Sequence, residues 1–494
     1  MDEKVLTPKE MTLSDQFTMK TLNITDYALM KKAAKGLFDY AFKQNLLTVK
    51  NIAIFIGPGN NGGDGVVFGK HLVNNGYLVT LYLVGDPLKR SDSLNQALHD
   101  FKKQETIVSI NTKRDIQKNT SKFQVHELII DALFGSGLNK PLQGIFKDVV
   151  SFVKRVQKPV ISLDVPSGIN AYNGINMNES IQADHTLIVQ HYKTGNLLFD
   201  APDYHGHHHI VDVGIKTPPF EMNRIKPPSN VSFKTHQKNI HKYDRGTGLI
   251  IGGSKALEGA LIMASHAALK TGLGLLTAVF DSPDISGKPI PLEVLSYQRK
   301  DVKDIKRLLN KKDAYLFGPG LNQGIIYHKD LLKQLIDTGK PIVIDAGGID
   351  YFKKIFNEYD DFSQVVLTPH AGELASFYGV ASSHIIADPL KWLKPLTDKK
   401  VNVLLKGPCS IVAKHLKQYY LYHPNPALAK GGSGDVLSGL ILSFLVHHPV
   451  EDAMQYAINL MHKSLNLVLK DIPEESVLPS DVLNYLPITI NMLK

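Results

Sequence analysis

Gly57-Pro58-Gly59-Asn60-Asn61-Gly62-Gly63-Asp64-Gly65 packs glycines, two side-chain amides and a carboxylate into one short run after the apolar stretch NIAIFI. Glycines between a strand and a helix leave backbone N–H groups free to meet a ligand. The run satisfies G-x-G-x-x-G literally, and Asp86 falls about where a ribose-binding acid would stand, which suggests a dinucleotide site. Two features oppose a nicotinamide dehydrogenase. Asp64 sets a carboxylate where a pyrophosphate would need the helix dipole, and Asn60 and Asn61 put amides where such a loop presents bare backbone. Two later turns add oxygen-bearing residues: Asp131, ahead of Phe134-Gly135-Ser136-Gly137-Leu138, and Asp164, ahead of Val165-Pro166-Ser167-Gly168. Asn61, Asp131 and Ser167 can converge as hard oxygen ligands for a monovalent cation beside a polar pocket. A single aspartate of this kind is usually a turn cap; three such turns in succession favour a site.

A second constellation lies towards the C-terminus. Gly431-Gly432-Ser433-Gly434-Asp435 precedes the apolar run VLSGLILSFLV, so its N–H groups can cradle an anion while Asp435 takes a proton from an attacking hydroxyl. Lys406-Gly407 follows VNVLL, where a cation can meet a phosphate. His370 sits in LTPHAGE with Glu373 nearby, and Gly318-Pro319-Gly320 and Gly252-Gly253-Ser254 form further turns at strand ends. Each alone reads as a cap or structural turn; together they favour one binding crevice. His205-Gly206-His207-His208-His209 reads as a turn into a strand with alternate histidines facing solvent rather than as a metal site, and Cys409 reads as a small buried residue.

These turns need strands and helices behind them. From about Lys50 to Gly214, runs such as NIAIFIG, YLVTLYLVG, HELIIDALFG and KPVISLDVPSG alternate with helix-like stretches, the pattern of buried parallel strands with helical crossovers. LNITDYALMKKAAKGLFDYAF is periodic enough to be a helix packed on that sheet. The alternation stops in the polar, proline-bearing stretch Ile215 to Lys242 and resumes with GLIIGGS, AYLFGPGL, PIVIDAGG, QVVLTPHAGE and VNVLLKGP. The expected architecture is therefore α/β in two domains: 1–220, a linker at 221–240, and 241–494. At 494 residues, with 43% hydrophobic and 21% charged, the composition is globular and excludes disorder, collagen and coiled coil. One cysteine excludes an internal disulfide framework and a cysteine-based zinc site. The net charge of +9 is too diffuse to indicate nucleic acid. The N-terminal residues lack the apolar stretch of a signal peptide and GLILSFLV is too short to span a bilayer, so no membrane and a cytoplasmic location are expected.

GPGNNGGDG, DALFGSGL and LDVPSGINAYNG resemble the NAD(P)H-hydrate epimerase family across nearly the whole first domain. The resemblance implies a Rossmann-like sandwich that interconverts the R and S forms of nicotinamide hydrated at C6. It assigns substrate binding to Asn60, Asn61, Gly62, Gly63, Asp64, Gly135, Ser136, Gly137, Leu138, Asn139, Lys140, Pro141 and Asp164, a potassium ion to Asn61, Asp131 and Ser167, and proton handling to Asp164. The early helix departs from the family's Leu-Met-Glu-x-Ala-Gly, reading Leu29-Met30-Lys31-Lys32-Ala33-Ala34. The second half resembles the ribokinase-like superfamily and, more closely, its ADP- or ATP-dependent NAD(P)H-hydrate dehydratase branch, on IIGGS, GALIMASHAALKTGLG, LFGPGL, IDAGG, LTPHAGE, LLKGP and GGSGDVLSG. That resemblance places Ala260, Gly320, His370 and Asp435 against the hydrate, and Lys406, Gly407, Pro408, Cys409, Ser410 and Gly434 on the nucleotide side, with magnesium on the phosphates and Asp435 as the base. Ala371 stands where the family often has proline. The expected protein is a bifunctional metabolite-repair enzyme, an isomerase fused to a lyase, whose partners are NADH and NADPH hydrates and ADP or ATP. A homo-oligomer is expected from the same resemblance.

Two other readings compete. A small-molecule kinase of the hydroxyethylthiazole or pyridoxal type with an accessory first domain would keep its phosphorylated product. A scaffold or RNA-binding first domain is opposed by Asp131, Asp164 and Ser167 and by the lack of an aromatic-studded basic stripe.

Overall fold

The computed structural model describes residues 2–101, 106–299, 308–309, 311–322 and 326–494. The chain divides into two compact units, Glu3–Arg224 and Ile225–Lys494. The stretch with linker composition carries a short strand, Asn223–Lys226. Phe220 packs on the core of the first unit, and Val231 and Phe233 pack on that of the second.

The first unit is built on a seven-stranded sheet ordered Ile107–Ile110, Leu78–Val84, Asn51–Ile56, Leu128–Ala132, Val160–Leu163, His185–Val189, His207–Val211, with every pairing parallel. NIAIFI and LIIDA are buried along almost their whole length because helices cover both faces. Ile52, Ile54 and Ile56 face a core shared with the helices Asp26–Lys43 and Asn60–Asn74, while Ala53 and Phe55 face one that includes Phe123, Val149 and Val153. The chain leaves Asn51–Ile56 towards one edge and returns to pair Leu128–Ala132 on its other side. This is a topological switch point, where the carboxyl ends of adjacent strands open a crevice. The glycine run falls there: Gly57 N–H donates to the Ala132 carbonyl (3.0 Å), and a Cβ on Gly57 would lie 1.7 Å from the Leu133 carbonyl oxygen.

In the second unit the order is Val294–Gln298, Leu275–Phe280, Thr247–Gly252, Ala314–Phe317, Ile342–Ile344, Val365–Leu367, Asn402–Leu405, Cys409–Lys414, Lys417–Tyr422. The pairings are parallel up to Asn402–Leu405, and the last two are antiparallel. The switch point again lies beside the first strand, and two expected turns meet across it. Gly253 N–H donates to the Pro319 carbonyl and Ser254 N–H to that of Gly320, each at 2.8 Å. The helix Ser433–Leu445 is buried from Val436 to Leu445 and crosses Glu258–Lys270 at Gly439, where a Cβ would stand 2.2 Å from the Ala264 carbonyl oxygen. The two backbones touch because no side chain intervenes. Gly439→Ala should therefore cost about 1–3 kcal/mol, read as a lower denaturation midpoint of the full chain at an unchanged denaturant slope.

Candidate functional sites at two strand-end crevices

A cavity of about 700 Å³ opens at the first switch point. Asn60, Asn61, Asp64, Gly135, Ser136, Gly137, Leu138 and Asp164 line it, so residues from the three turns singled out in the sequence share one pocket. Gly62 and Gly63 lie behind its wall, packed against the Gly57 carbonyl and Met30. Asn139, Lys140 and Pro141 continue outside as exposed residues. Asp86 caps the short helix Pro87–Lys89, its Oδ1 accepting from Leu88 N–H (3.0 Å), and lines no part of the cavity.

Asp131 ties the turns together. Its Oδ2 accepts from Ser162 Oγ and Ser167 N–H, both at 2.8 Å, and its Oδ1 accepts from Ser167 Oγ and from Leu133 N–H (3.2 Å). Burial raises this carboxyl above the usual aspartate range, and these hydrogen bonds oppose the rise. Ser167 Oγ also accepts from Phe134 N–H (2.8 Å) and lies 3.2 Å from the Phe134 carbonyl oxygen. Asn61 sits against Gly135, and its Nδ2 is buried with no partner. The Asn61 Oδ1, the Ser167 hydroxyl, the Phe134 carbonyl and the Asp131 carboxylate are hard oxygens of the kind that suit a monovalent cation, while the orphaned Nδ2 is a donor left for an acceptor on a ligand.

Asp164 has a φ of 70°, and Val165 N–H closes onto the Leu163 carbonyl (2.9 Å) across it, a tight turn that a non-glycine residue rarely adopts. Its carboxylate accepts from Val189 N–H (3.2 Å) and is ion-paired with the ammonium of Lys193, which also donates to the Val189 carbonyl (3.0 Å). Lys193 is 1% exposed. Neither Lys193 nor Asp15, which lines the same cavity from the helix Pro8–Leu22, stands out in the sequence. Their only local signals are a lysine just past an apolar strand and an acid on the inner side of an amphipathic helix. Asp64 needs a different account from the one its position suggests. Burial first, then the field of Asp164, pushes its carboxyl well above the usual range, so it is held towards the neutral form rather than as an anion on the helix dipole.

In the second unit the expected residues gather around Lys406. Its Nζ lies 3.1 Å from Asp345 Oδ1 and 3.4 Å from Glu373 Oε2, and a Cβ on Gly434 would lie 3.5 Å away. Burial opposes the ammonium charge, yet Asp345 and Glu373 hold its pKa above the ordinary lysine value. Asp435, in the first turn of Ser433–Leu445, is raised to about 7 by burial and then by Asp345, with Lys406 opposing. Ser433 Oγ, at the start of that helix, is buried without a partner. His370 reaches Lys406 through an isolated bridge, and its Nδ1 accepts from the N–H groups of Gly372 (3.0 Å) and Glu373 (3.2 Å), capping Ala371–Tyr378. Gly320 lies against the Leu257 carbonyl, one turn before Ala260. Cys409 and Ser410 are buried in a strand and burial pushes the Cys409 thiol up, so that stretch offers a ligand main-chain groups. Asp345, 2% exposed and accepting from Thr368 Oγ1 (2.8 Å), is the residue here that sequence reasoning passed over.

The five-residue run of histidines and glycine forms a turn and the strand His207–Val211. His205 is fully buried and His207 exposed, while the His209 Nε2 lies 3.0 Å from His185 Nδ1 with the two rings tilted. Among the described residues no group of three or more His, Cys, Asp or Glu side chains is arranged to hold a metal ion, and no helix is long and apolar enough to cross a membrane.

Residues 26–195 match the family model of the YjeF-related protein N-terminus, and residues 248–487 match that of NAD(P)H-hydrate dehydratase. The chain is 26% identical over 513 aligned positions to the bifunctional NAD(P)H-hydrate repair enzyme Nnr of Thermofilum pendens, covering 99% of this chain and 97% of that one. Among solved structures, it is similar to a ribokinase-like superfamily protein of Enterococcus faecalis (23% identity, TM-score 0.45, 52% of this chain and 91% of that one). It is also similar to an ADP/ATP-dependent NAD(P)H-hydrate dehydratase of Bacillus subtilis co-crystallised with ATP and Mg2+ (24% identity, TM-score 0.43, 53% and 95%).

The Lys193–Asp164 pair gives a direct energetic test. Lys193→Met leaves the carboxylate buried without its cation, which should cost about 3–5 kcal/mol in chemical denaturation at pH 7. Asp164→Asn in the same chain should recover most of that loss.

Proposed function

The chain belongs to the YjeF-related family over residues 26–195 and to the NAD(P)H-hydrate dehydratase family over residues 248–487, and from that premise we infer a bifunctional NAD(P)H-hydrate repair enzyme. It epimerises the R and S hydrates of NADH and NADPH and dehydrates one epimer back to the intact dinucleotide at the expense of ADP or ATP. A stereospecific dehydratase alone would strand the other epimer, so the fusion is chemically coherent.

In the first site the loops Asn60–Asp64 and Gly135–Leu138 hold the hydrated ring, and Asp164 handles the proton at the reacting carbon. The single observation that favours this role is its pairing with buried Lys193, which holds a carboxylate ready in a pocket also lined by Asp15, Asp26 and Asp64. Asn61, Asp131, Ser167 and the Phe134 carbonyl would hold a potassium ion, which when bound supplies a fixed positive charge for the polar end of the substrate. In the second site Asp435 removes the proton of the C6 hydroxyl, whose oxygen then attacks the terminal phosphorus of the nucleotide. Phosphate is a far better leaving group than hydroxide, so it departs from C6 with the C–O electron pair, and loss of a proton from C5 to solvent leaves the C–H electrons to restore the ring double bond. Lys406 and the N–H groups at Gly434 hold phosphate oxygens, with Asp345 and Glu373 fixing the lysine. Magnesium bound with the nucleotide would offset phosphate charge. The resemblance carries a homo-oligomer with it.

Asp435 must be ionised to accept a proton, and its carboxyl sits near pH 7. Dehydration of the S hydrate should therefore rise with pH through about 7 and level off above it. Removing the opposing cation with Lys406→Ala should displace that limb to higher pH. Asp435→Asn should lower the rate by about 100-fold or more while epimerisation continues, and Asp164→Asn should do the reverse. Stoichiometric free phosphate with no phosphorylated product is expected; an accumulating phospho-product would make the protein a kinase instead.

A further inference from the structure

We propose that Asp15 is the second acid–base group of the first site, delivering a proton to the departing C6 hydroxyl while Asp164 receives one from the water that adds to the opposite face of the ring. This deepens the epimerase reading and rests on it.

Exchange of configuration at a carbon bearing hydroxyl beside a ring nitrogen has a direct route. The C6–O bond breaks, the oxygen leaves as water with a proton from an acid, and the N1 lone pair becomes a C=N bond, leaving a flat cation. Water then adds to the other face, the π electrons return to N1, and a base takes the surplus proton. One acid has gained what the other lost, and exchange with bulk water resets both before the next turnover. Such a route needs two proton-handling groups with opposite resting states in one pocket.

The cavity holds such a pair. Asp164 has a buried cation and a backbone N–H on its carboxylate, which suits it to be the base. Asp15 lines the same cavity from Pro8–Leu22, and among the described residues its carboxyl makes no hydrogen bond and no ion pair. Burial is the main influence on it; Lys193 pulls it down, Asp164 and Asp26 push it up, and the balance stands near 7. The charged or titratable groups around it are Asp26 from Asp26–Lys43, Asp64 from Asn60–Asn74, Asp164 and Lys193, with Lys89 and Arg90 also on the cavity wall. A partnerless carboxyl aimed into a pocket beside a paired carboxylate is the arrangement expected of an acid that donates and is then reprotonated. Turn-capping does not explain Asp15, because it sits inside the helix and caps nothing.

The test uses the full chain with R hydrate of NADH as substrate, following its conversion to the S form. Wild-type kcat/KM should fall as pH rises through about 7, since Asp15 must carry its proton to donate it. Asp15→Asn should lower kcat by about 100-fold with KM changed less than twofold, abolish that limb, and leave dehydration of S hydrate untouched. Asp15→Glu should restore much of kcat and the limb. Normal epimerisation by Asp15→Asn, or loss confined to KM with the pH profile intact, would overturn the proposal while the epimerase reading stands. A wild-type chain that fails to speed epimerisation would overturn the reading and the proposal together.

Discussion

A lysine ammonium held among buried carboxylates is the constraint on which each half of this protein depends. Lys193 pairs with Asp164 at the end of one parallel sheet, and Lys406 pairs with Asp345 and Glu373 at the end of the other. Burying either charge alone would be prohibitive, so the cation and its acids are kept together by the folds that bury them. The consequence is chemical. Where the cation forms an ion pair, a carboxylate is held ready; where the carboxyl has no ion pair among the described residues, burial wins and pushes it up to about 7, as at Asp15 and Asp435. At the first site that contrast separates the paired base Asp164 from the unpaired acid Asp15, whereas Asp435 at the second serves as a base once pH exceeds about 7.

The parallel sheets make that arrangement possible. Strands covered on both faces end together on one edge, and the reversal of strand order beside Asn51–Ile56 and beside Thr247–Gly252 opens a crevice there. Glycines let the turns approach within backbone contact: Gly57 under the Leu133 carbonyl, and Gly252 under that of Pro319, where a Cβ would stand 2.1 Å away. The strained φ of Asp164 belongs to the same crowding. Its carboxylate reaches Lys193 and Val189 N–H from a turn clamped between two strands.

Much of this was legible in the chain because the informative residues are neighbours in sequence. Apolar runs closed by Gly or Asp announce buried parallel strands and place the Asn60–Asp64, Asp131, Asp164 and Lys406 turns at their ends, while the glycine run at Asp435 announces the start of an apolar helix. What escaped was pairing at a distance. Lys193 lies 29 residues from Asp164 and resembles any lysine beyond a strand until the sheet sets it inside the pocket. Asp15 belongs to a helix whose sequence speaks only of amphipathic packing. Asp64 was legible in position but not in charge, since its protonation depends on acids contributed by other elements.

Two sites on one chain together repair both epimers. The direct measurement adds the purified protein, potassium, magnesium and ADP or ATP to a mixed R and S preparation of hydrated NADH and follows the return of dihydronicotinamide absorbance. Complete recovery, faster than spontaneous epimerisation allows, is the predicted result. A halt near half, with the R hydrate left behind, would contradict it.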